Sequence, residues 1–403
     1  MLHRKQFATF LVRRFANSRI IVQNCSMKQV KKVGIVGGGQ LAQMMTQAAS
    51  SLGLSITVID PTPDCPAKKA GAEQIVADYK DAVAIKKLAE QNDVVTIDFE
   101  HVNADVLSEI EQAGTIVQPS PQTISMIQDK LLQCNFLQEN NLPIAQYRNT
   151  ETIEDARSAL TQFEGKMLLK KRKQSYDGKG NAVVDSEKSL LDAWEVLGGR
   201  ELYAERFVDF DKELAVIIAR DTSGNSVLYP VVETVHINNI CHEVFLPGEF
   251  DAEVDKKAHE VADKTAKVLH GAGVFAIEMF LDKNGDILIN EIAPRVHNSG
   301  HPTIEGSITS QFEQHLRAVS GMKLGSTKMK VPAAVMINIL GTRNAEAKPT
   351  GVAQAEQIPG VKVHLYNKIQ TKIDRKMGHI TATADTLEEA KANVEKAHSL
   401  ITI

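Results

Sequence analysis

The chain has 403 residues, 43% of them apolar and 24% charged, with a formal net charge of −4. At roughly 100–200 residues per domain, this length suggests about two to four domains with ordinary cores. The composition excludes disordered and collagen-like chains. No run approaches the roughly eighteen apolar residues of a membrane span, and neither near-neutral charge nor 5% aromatics argues for nucleic acid.

Residues 1–26 carry five basic side chains (Arg4, Lys5, Arg13, Arg14, Arg19) and no acid, the first acid of the chain being Asp60. We read them as a disordered extension, or as the product of a start codon placed too early, before a folded part that opens at Met27. An organelle transit peptide is the alternative. An apolar strand at 33–36 leads into Gly37-Gly38-Gly39 and a helix from Gln40 to about Ser51. Strands at 56–60, 74–77 and 94–99 alternate with helices over 81–91 and 103–113. That alternation predicts a parallel sheet covered on both faces, a Rossmann-like α/β unit over 27–118.

The pattern then changes to α+β. A helix covers 121–140, and strands fall at 166–171, 182–184, 203–209, 213–220 and 226–235. A helix over 252–271 and a hairpin over 274–292 follow. A strand at 331–340 opens a third segment. Thr386-Leu387-Glu388-Glu389 has capping-box spacing and starts a last helix. Cys25, Cys65, Cys134 and Cys241 are scattered, without CxxC spacing. They form neither a zinc cradle nor a disulfide framework, which fits a reducing compartment and a cytoplasmic location.

Gly37-Gly38-Gly39-Gln40-Leu41-Ala42 fits G-x-G-x-x-A, and Asp60 ends the second strand. The glycines either let the backbone approach an anion or permit tight strand–helix packing. An NAD-dependent oxidoreductase would explain this stretch and little else.

The hairpin is more informative. With Asn284-Gly285 as a two-residue type I′ turn, Glu278 and Glu291 face each other on the same side. Both have apolar neighbours. Opposed like charges destabilise a hairpin, and a divalent cation reverses that sign. Two carboxylates plus substrate phosphates suit Mg²⁺, with Mn²⁺ as its substitute. Arg295, His297, Asn298 and Ser299 follow at once, a concentration of polar groups suited to an anion. Between the strands at 166–171 and 182–184, a basic, glycine-containing stretch reads either as a phosphate cover or as a solvated turn. It is not a P-loop.

Together, GIVGGGQLA (34–42), YDGKG (176–180), NEIAPRVHNSGH (290–301) and RKMGH (375–379) resemble the ATP-grasp ligases, and more narrowly the N5-carboxyaminoimidazole ribonucleotide synthetase family of purine biosynthesis. The resemblance implies a Rossmann-like pre-ATP-grasp domain over 27–118. An ATP-grasp domain over 119–325 follows, with a mobile lid about 145–207, and a small C-terminal α+β domain over 326–403. It implies that 5-aminoimidazole ribonucleotide, bicarbonate and MgATP give the N5-carboxylated ribonucleotide, ADP and phosphate through carboxyphosphate. It further implies a homodimer and a separate mutase acting next.

Site roles follow from the same resemblance. Lys130 and Lys170 contact ATP phosphates, and the loop Ser175, Tyr176, Asp177, Gly178, Lys179, Gly180 and Asn181 closes over them. Glu205, Arg206, Phe207 and Val208 form the adenine hinge. Glu213 holds the ribose, and His236 and Asn290 belong to the ATP site. Glu278 and Glu291 hold Mg²⁺. Glu100, Arg295, His297, Asn298 and Ser299 form the bicarbonate pocket. Gln40, Tyr176, Asp177, Lys179, Lys368 and Arg375 contact the ribonucleotide, the last two through its phosphate.

The chain departs from the family at Gln174-Ser175, where a Gly-Gly pair is usual, and at Asn181, where glutamine is usual. Lys372 and Asp374 replace the usual Arg and Gly. A sister ATP-grasp enzyme, such as the formate-dependent glycinamide ribonucleotide transformylase, is the alternative, and the HNSGH run argues against it. A non-catalytic nucleotide-binding regulator would have lost a metal ligand, and both are present.

Overall fold

The computed structural model describes residues 29–173 and 180–403. The first unit is a five-stranded, all-parallel sheet ordered Glu73–Val76, Ser55–Asp60, Lys32–Val36, Val94–Ile97, Ile116–Val117. Val94–Ile97 is buried on both faces, as a parallel strand between two helical layers must be. One layer contains the helix Gln40–Ala49, whose Met44 and Met45 share a core with Phe312 and Leu316 of the helix Gln311–Val319. The first unit is therefore seated on the second through apolar packing. The other layer buries Ile85, Leu88, Leu107 and Ile110.

The second unit is built on a nine-stranded sheet. The hairpin Gly273–Asp282 and Ile287–Ala293 lies at one edge, and the long strand Phe210–Arg220 pairs antiparallel with Gly273–Asp282. Then come Val232–Ile237 and Ile240–Leu246, the latter a strand the sequence pattern did not reveal. A smaller four-stranded sheet orders Tyr147–Thr150, Leu202–Arg206, Met167–Lys171 and Asn181–Val184, covered by the helices Ile153–Gln162 and Glu187–Leu197. The third segment adds to the large sheet. Its strand Ala333–Leu340 pairs with Ile240–Leu246, and Lys376–Ala384 and Val361–Leu365 continue the ladder.

Two local expectations change. The single helix over 121–140 is two helices, Pro121–Gln128 and Lys130–Glu139. Asp129 breaks it. Its carboxylate caps the second helix by accepting from Leu131 N and Leu132 N, and it is paired with Arg172 at 2.7 Å. The break places Lys130 at the first turn of a new helix. At the C-terminus, Thr386 caps Leu387–Leu400 by accepting from Glu389 N at 3.2 Å, as its spacing predicts. Among the described residues no helix is long and apolar enough to cross a membrane.

Candidate active site

The hairpin brings Glu278 opposite Glu291, but not by the expected turn. Gly285 has φ 80, whereas Asn284 does not adopt the positive φ that a type I′ turn needs at both positions. Asp282 N–H donates to Asp286 O at 2.9 Å, so the loop is the three residues Lys283, Asn284 and Gly285. That shifts the register by one, giving Met279↔Ile289. A bulge at Asn290 then restores Glu278↔Glu291. The bulge residue itself is Asn290, predicted for the ATP site.

The same sheet face collects more of the predicted residues. Ala215 pairs with Glu278, so Glu213, two residues away, shares the face. Glu213 is in contact with His236 from the adjoining strand. Burial disfavours a charged His236 ring, yet the Glu213 carboxylate holds its pKa above the ordinary value. Glu278 is pushed up to about 7 by burial and by the Glu291 charge.

Lys130, Lys170 and Arg295 each meet a carboxylate. Lys130 Nζ lies 2.8 Å from Glu291 Oε2, and Lys170 Nζ lies 2.7 Å from Glu205 Oε1 in a buried pair. Arg295 Nε donates to Glu100 Oε2 at 2.5 Å. Burial opposes ionisation of Glu100, but the Arg295 guanidinium beside it holds the carboxyl down at about 2. His297 Nε2 is 3.3 Å from Glu278 Oε1. Its Nδ1 accepts from the Ser299 backbone N–H at 3.3 Å, so the proton of the neutral ring sits on Nε2, facing Glu278. Burial, and then Arg295, keep the His297 pKa well below its ordinary value. In this arrangement Nε2 faces the Glu278 carboxyl at 3.3 Å.

Among the described residues no group of three or more His, Cys, Asp or Glu side chains gathers as a metal cradle. The fit for a cation is the facing pair Glu278 and Glu291, whose mutual repulsion raises Glu278. Hard oxygen donors in this number suit Mg²⁺ with remaining ligands from phosphate and water.

In the hinge segment, Arg206 N–H is taken by Gln146 O at 2.8 Å, and Lys166 Nζ sits 3.7 Å above the Phe207 ring. Val208 follows the end of the strand. Gly180 has φ 94, its carbonyl accepts from Lys171 N at 2.8 Å, and Asn181 opens the next strand opposite Lys170. Ser175, Tyr176, Asp177, Gly178 and Lys179 lie outside the described residues. Asn298 and Ser299 are buried beside His297 in the short helix Asn298–Gly300.

Lys368 and Arg375, the residues predicted for the ribonucleotide phosphate, lie in a second group. Lys368 Nζ donates to Lys376 O at 2.7 Å, while Arg375 is exposed and donates to Gln370 O at 2.9 Å. Burial, with Arg375 and Lys376 adding to it, pushes Lys368 down to about 7. Asp374 has φ 64, which explains why its position favours glycine. The sequence reading passed over Lys376, although it lies inside the quoted RKMGH run. Its charge acts on His236, His297 and Lys368, so it stands between the two groups.

The glycine loop resolves in favour of packing. Gly38 N–H donates to Asp60 Oδ2 at 3.2 Å and Gly39 N–H to Asp98 Oδ2 at 2.8 Å. The chain's own carboxylates therefore occupy the positions an anion would take. Gln40 is half-buried at the start of the helix beside them.

Three family models match the chain: a ribonucleotide synthetase preATP-grasp domain over 30–128, an ATP-grasp domain over 135–312, and a phosphoribosylaminoimidazole carboxylase C-terminal domain over 334–393. A phosphoribosylaminoimidazole carboxylase of Ogataea methanolica is 41% identical over 370 residues, covering 89% of this chain and 67% of the yeast protein. The chain thus spans about two thirds of that relative's length. The crystal structure of N5-carboxyaminoimidazole ribonucleotide synthetase from Thermotoga maritima superposes with a TM-score of 0.84 at 40% identity, covering 92% of this chain and 99% of that one. The Aspergillus clavatus synthase, solved with ADP and 5-aminoimidazole ribonucleotide, also gives a TM-score of 0.84, at 34% identity and 92% and 98% coverage.

Proposed function

We infer the reaction from one premise: the chain belongs to the N5-carboxyaminoimidazole ribonucleotide synthase family of ATP-grasp ligases. It is an ATP-dependent carbon–nitrogen ligase, acting on 5-aminoimidazole ribonucleotide and bicarbonate in purine biosynthesis. The observation that carries this reading is the facing pair Glu278/Glu291 with Lys130, His297 and the Arg295–Glu100 pair gathered around it.

Bicarbonate is a poor electrophile. Attack of its oxygen on the γ-phosphorus expels ADP and forms carboxyphosphate. That species breaks to CO₂ and phosphate, and the exocyclic amine adds to the CO₂ carbon and gives up a proton. The protein's part is positioning and charge neutralisation. Lys130 and Lys170 bind and orient the phosphates. Glu278 and Glu291 hold Mg²⁺, which when bound neutralises phosphate charge. Arg295, oriented by Glu100, holds the carboxylate end of bicarbonate, with His297, Asn298 and Ser299 closing the pocket. Lys368 and Arg375 anchor the 5′-phosphate. The resemblance also supports a homodimer and a mutase as the next enzyme, and the scattered cysteines fit a cytoplasmic location.

The test is ADP release from purified protein with MgATP and bicarbonate, with and without 5-aminoimidazole ribonucleotide. Release that needs the ribonucleotide and disappears in Glu291→Ala supports the ligase and its metal pair. Release indifferent to the ribonucleotide points instead to a sister ATP-grasp ligase.

A further inference from the structure

Gln311 is the first residue of the helix Gln311–Val319 and has no solvent exposure. A glutamine buried at a helix start needs partners for its amide. They lie on the catalytic loop. Gln311 Oε1 accepts the His297 backbone N–H at 2.9 Å, and Nε2 donates to the His297 carbonyl at 2.6 Å. One side-chain amide thus pairs with both backbone groups of a single residue, as a neighbouring strand would. It does so where the strand Ile287–Ala293 has already ended. Only the Nε2 end can donate to a carbonyl, so the amide orientation is unambiguous. Nε2 also lies 3.3 Å from His301 Nδ1.

The clamp is tied down on both sides. Gln311 N–H donates to Thr303 Oγ1 at 2.9 Å, and that hydroxyl donates to Gly300 O at 2.5 Å. A Cβ on Gly300 would stand 2.3 Å from Gln311 Oε1, so the glycine is there to let the amide in. The backbone of His297 is fixed by Gln311, and the rotation of its ring by Ser299. Together they aim Nε2 at Glu278.

We propose that Gln311 is a positioning residue for the carboxylation chemistry, holding His297 and the loop through Gly300 in the geometry the bicarbonate pocket needs. The role of that pocket rests on the function proposed above; the clamp itself does not. Its hydrogen bonds go to His297, His301 and Thr303, and none to Lys130, Lys170 or Glu291. Loss of the clamp should therefore separate bicarbonate use from nucleotide binding.

The test compares the wild type with Gln311→Met, which keeps the length and loses the amide. Gln311→Glu is the partner variant, since a buried carboxyl stays protonated and keeps both an acceptor and a donor. We expect Gln311→Met to lower kcat/KM for bicarbonate about tenfold, the scale of two neutral hydrogen bonds lost, while Kd for MgADP stays within about twofold. Gln311→Glu should lose less. The imidazole ¹H–¹⁵N spectrum should show His297 as the Nε2–H tautomer in the wild type and as a mixture in Gln311→Met. Unchanged bicarbonate kcat/KM in Gln311→Met, or MgADP affinity that falls in step with turnover, overturns the proposal. If the wild type shows no ribonucleotide-dependent ADP release, the functional reading fails instead. The His297 spectrum then decides the clamp alone: a tautomer lost in Gln311→Met supports it, and an unchanged one overturns it.

Discussion

Lys130 Nζ lies 2.8 Å from Glu291 Oε2, so the lysine proposed for phosphate is held by the carboxylate proposed for the metal. The pair is part-buried, with Lys130 17% and Glu291 35% exposed. Lys170–Glu205 repeats the arrangement on the smaller sheet. On the proposed roles, Lys130 and Glu291 therefore neutralise each other until phosphate and metal arrive.

Metal and nucleotide should accordingly bind cooperatively. Lys130 competes with a cation for Glu291, so Lys130→Met should bind Mn²⁺ alone more tightly than the wild type, by about three- to tenfold. Its MgADP affinity should fall, since a phosphate partner is gone. Electron paramagnetic resonance titration of free Mn²⁺ measures the first effect. Weaker Mn²⁺ binding in Lys130→Met would mean that the lysine supports the metal site instead of opposing it.

Glu278 carries a pH signature. Its carboxyl is raised from 4.5 to about 7 by burial and by Glu291. A carboxyl raised on folding favours the folded state while protonated. That stability is full below the unfolded value, is lost as pH rises towards about 7, and stays lost above it. Glu278→Gln removes the loss, so at pH 8 without metal the variant should be more stable than the wild type by about 1–3 kcal/mol. Excess Mg²⁺ should close the gap by stabilising the wild type. Thermal unfolding with and without Mg²⁺ checks both, and equal midpoints at pH 8 in metal-free buffer would count against it.

Lys368 should take up a proton with its ligand. Burial, Arg375 and Lys376 hold it down at about 7. A phosphate dianion raises a neighbouring ammonium pKa, so binding near pH 8 should absorb a proton, and affinity should decline as pH rises above about 7. Calorimetry of ribonucleotide binding in buffers of different ionisation enthalpy gives the proton count directly. Lys368→Met should abolish the uptake.

Gly37 should not tolerate a side chain. Its φ is 110, and a Cβ would stand 1.6 Å from Asp98 Oδ1. Gly37→Ala should cost about 2–4 kcal/mol from backbone strain and displacement of the Asp98 carboxylate. Gly53→Ala is the control. With φ 65 and nothing within 4 Å, it should cost only about 1 kcal/mol. Urea unfolding of the two variants separates steric contact from backbone strain alone.

What the sequence determined by itself was local. Strand and helix alternation gave the parallel unit, because apolar periodicity is written in adjacent residues. Apolar flanks and an Asn-Gly turn placed Glu278 against Glu291. Even there the turn holds three residues, not two, and the bulge at Asn290 supplies the compensating shift. The break at Asp129 went unseen because 121–140 has helical periodicity throughout. It depends on the pairing of Asp129 with Arg172, 43 residues away.

Tertiary packing decided the rest. Glu100 meets Arg295 across 195 residues, the first unit's carboxylate meeting the second unit's guanidinium. Asp98 fills the glycine loop 59 residues before it. Gln311, in a helix that reads as ordinary core, reaches back 14 residues to clamp His297. Periodicity assigns a side chain to a face, but the partner of a buried polar group depends on which elements pack against that face.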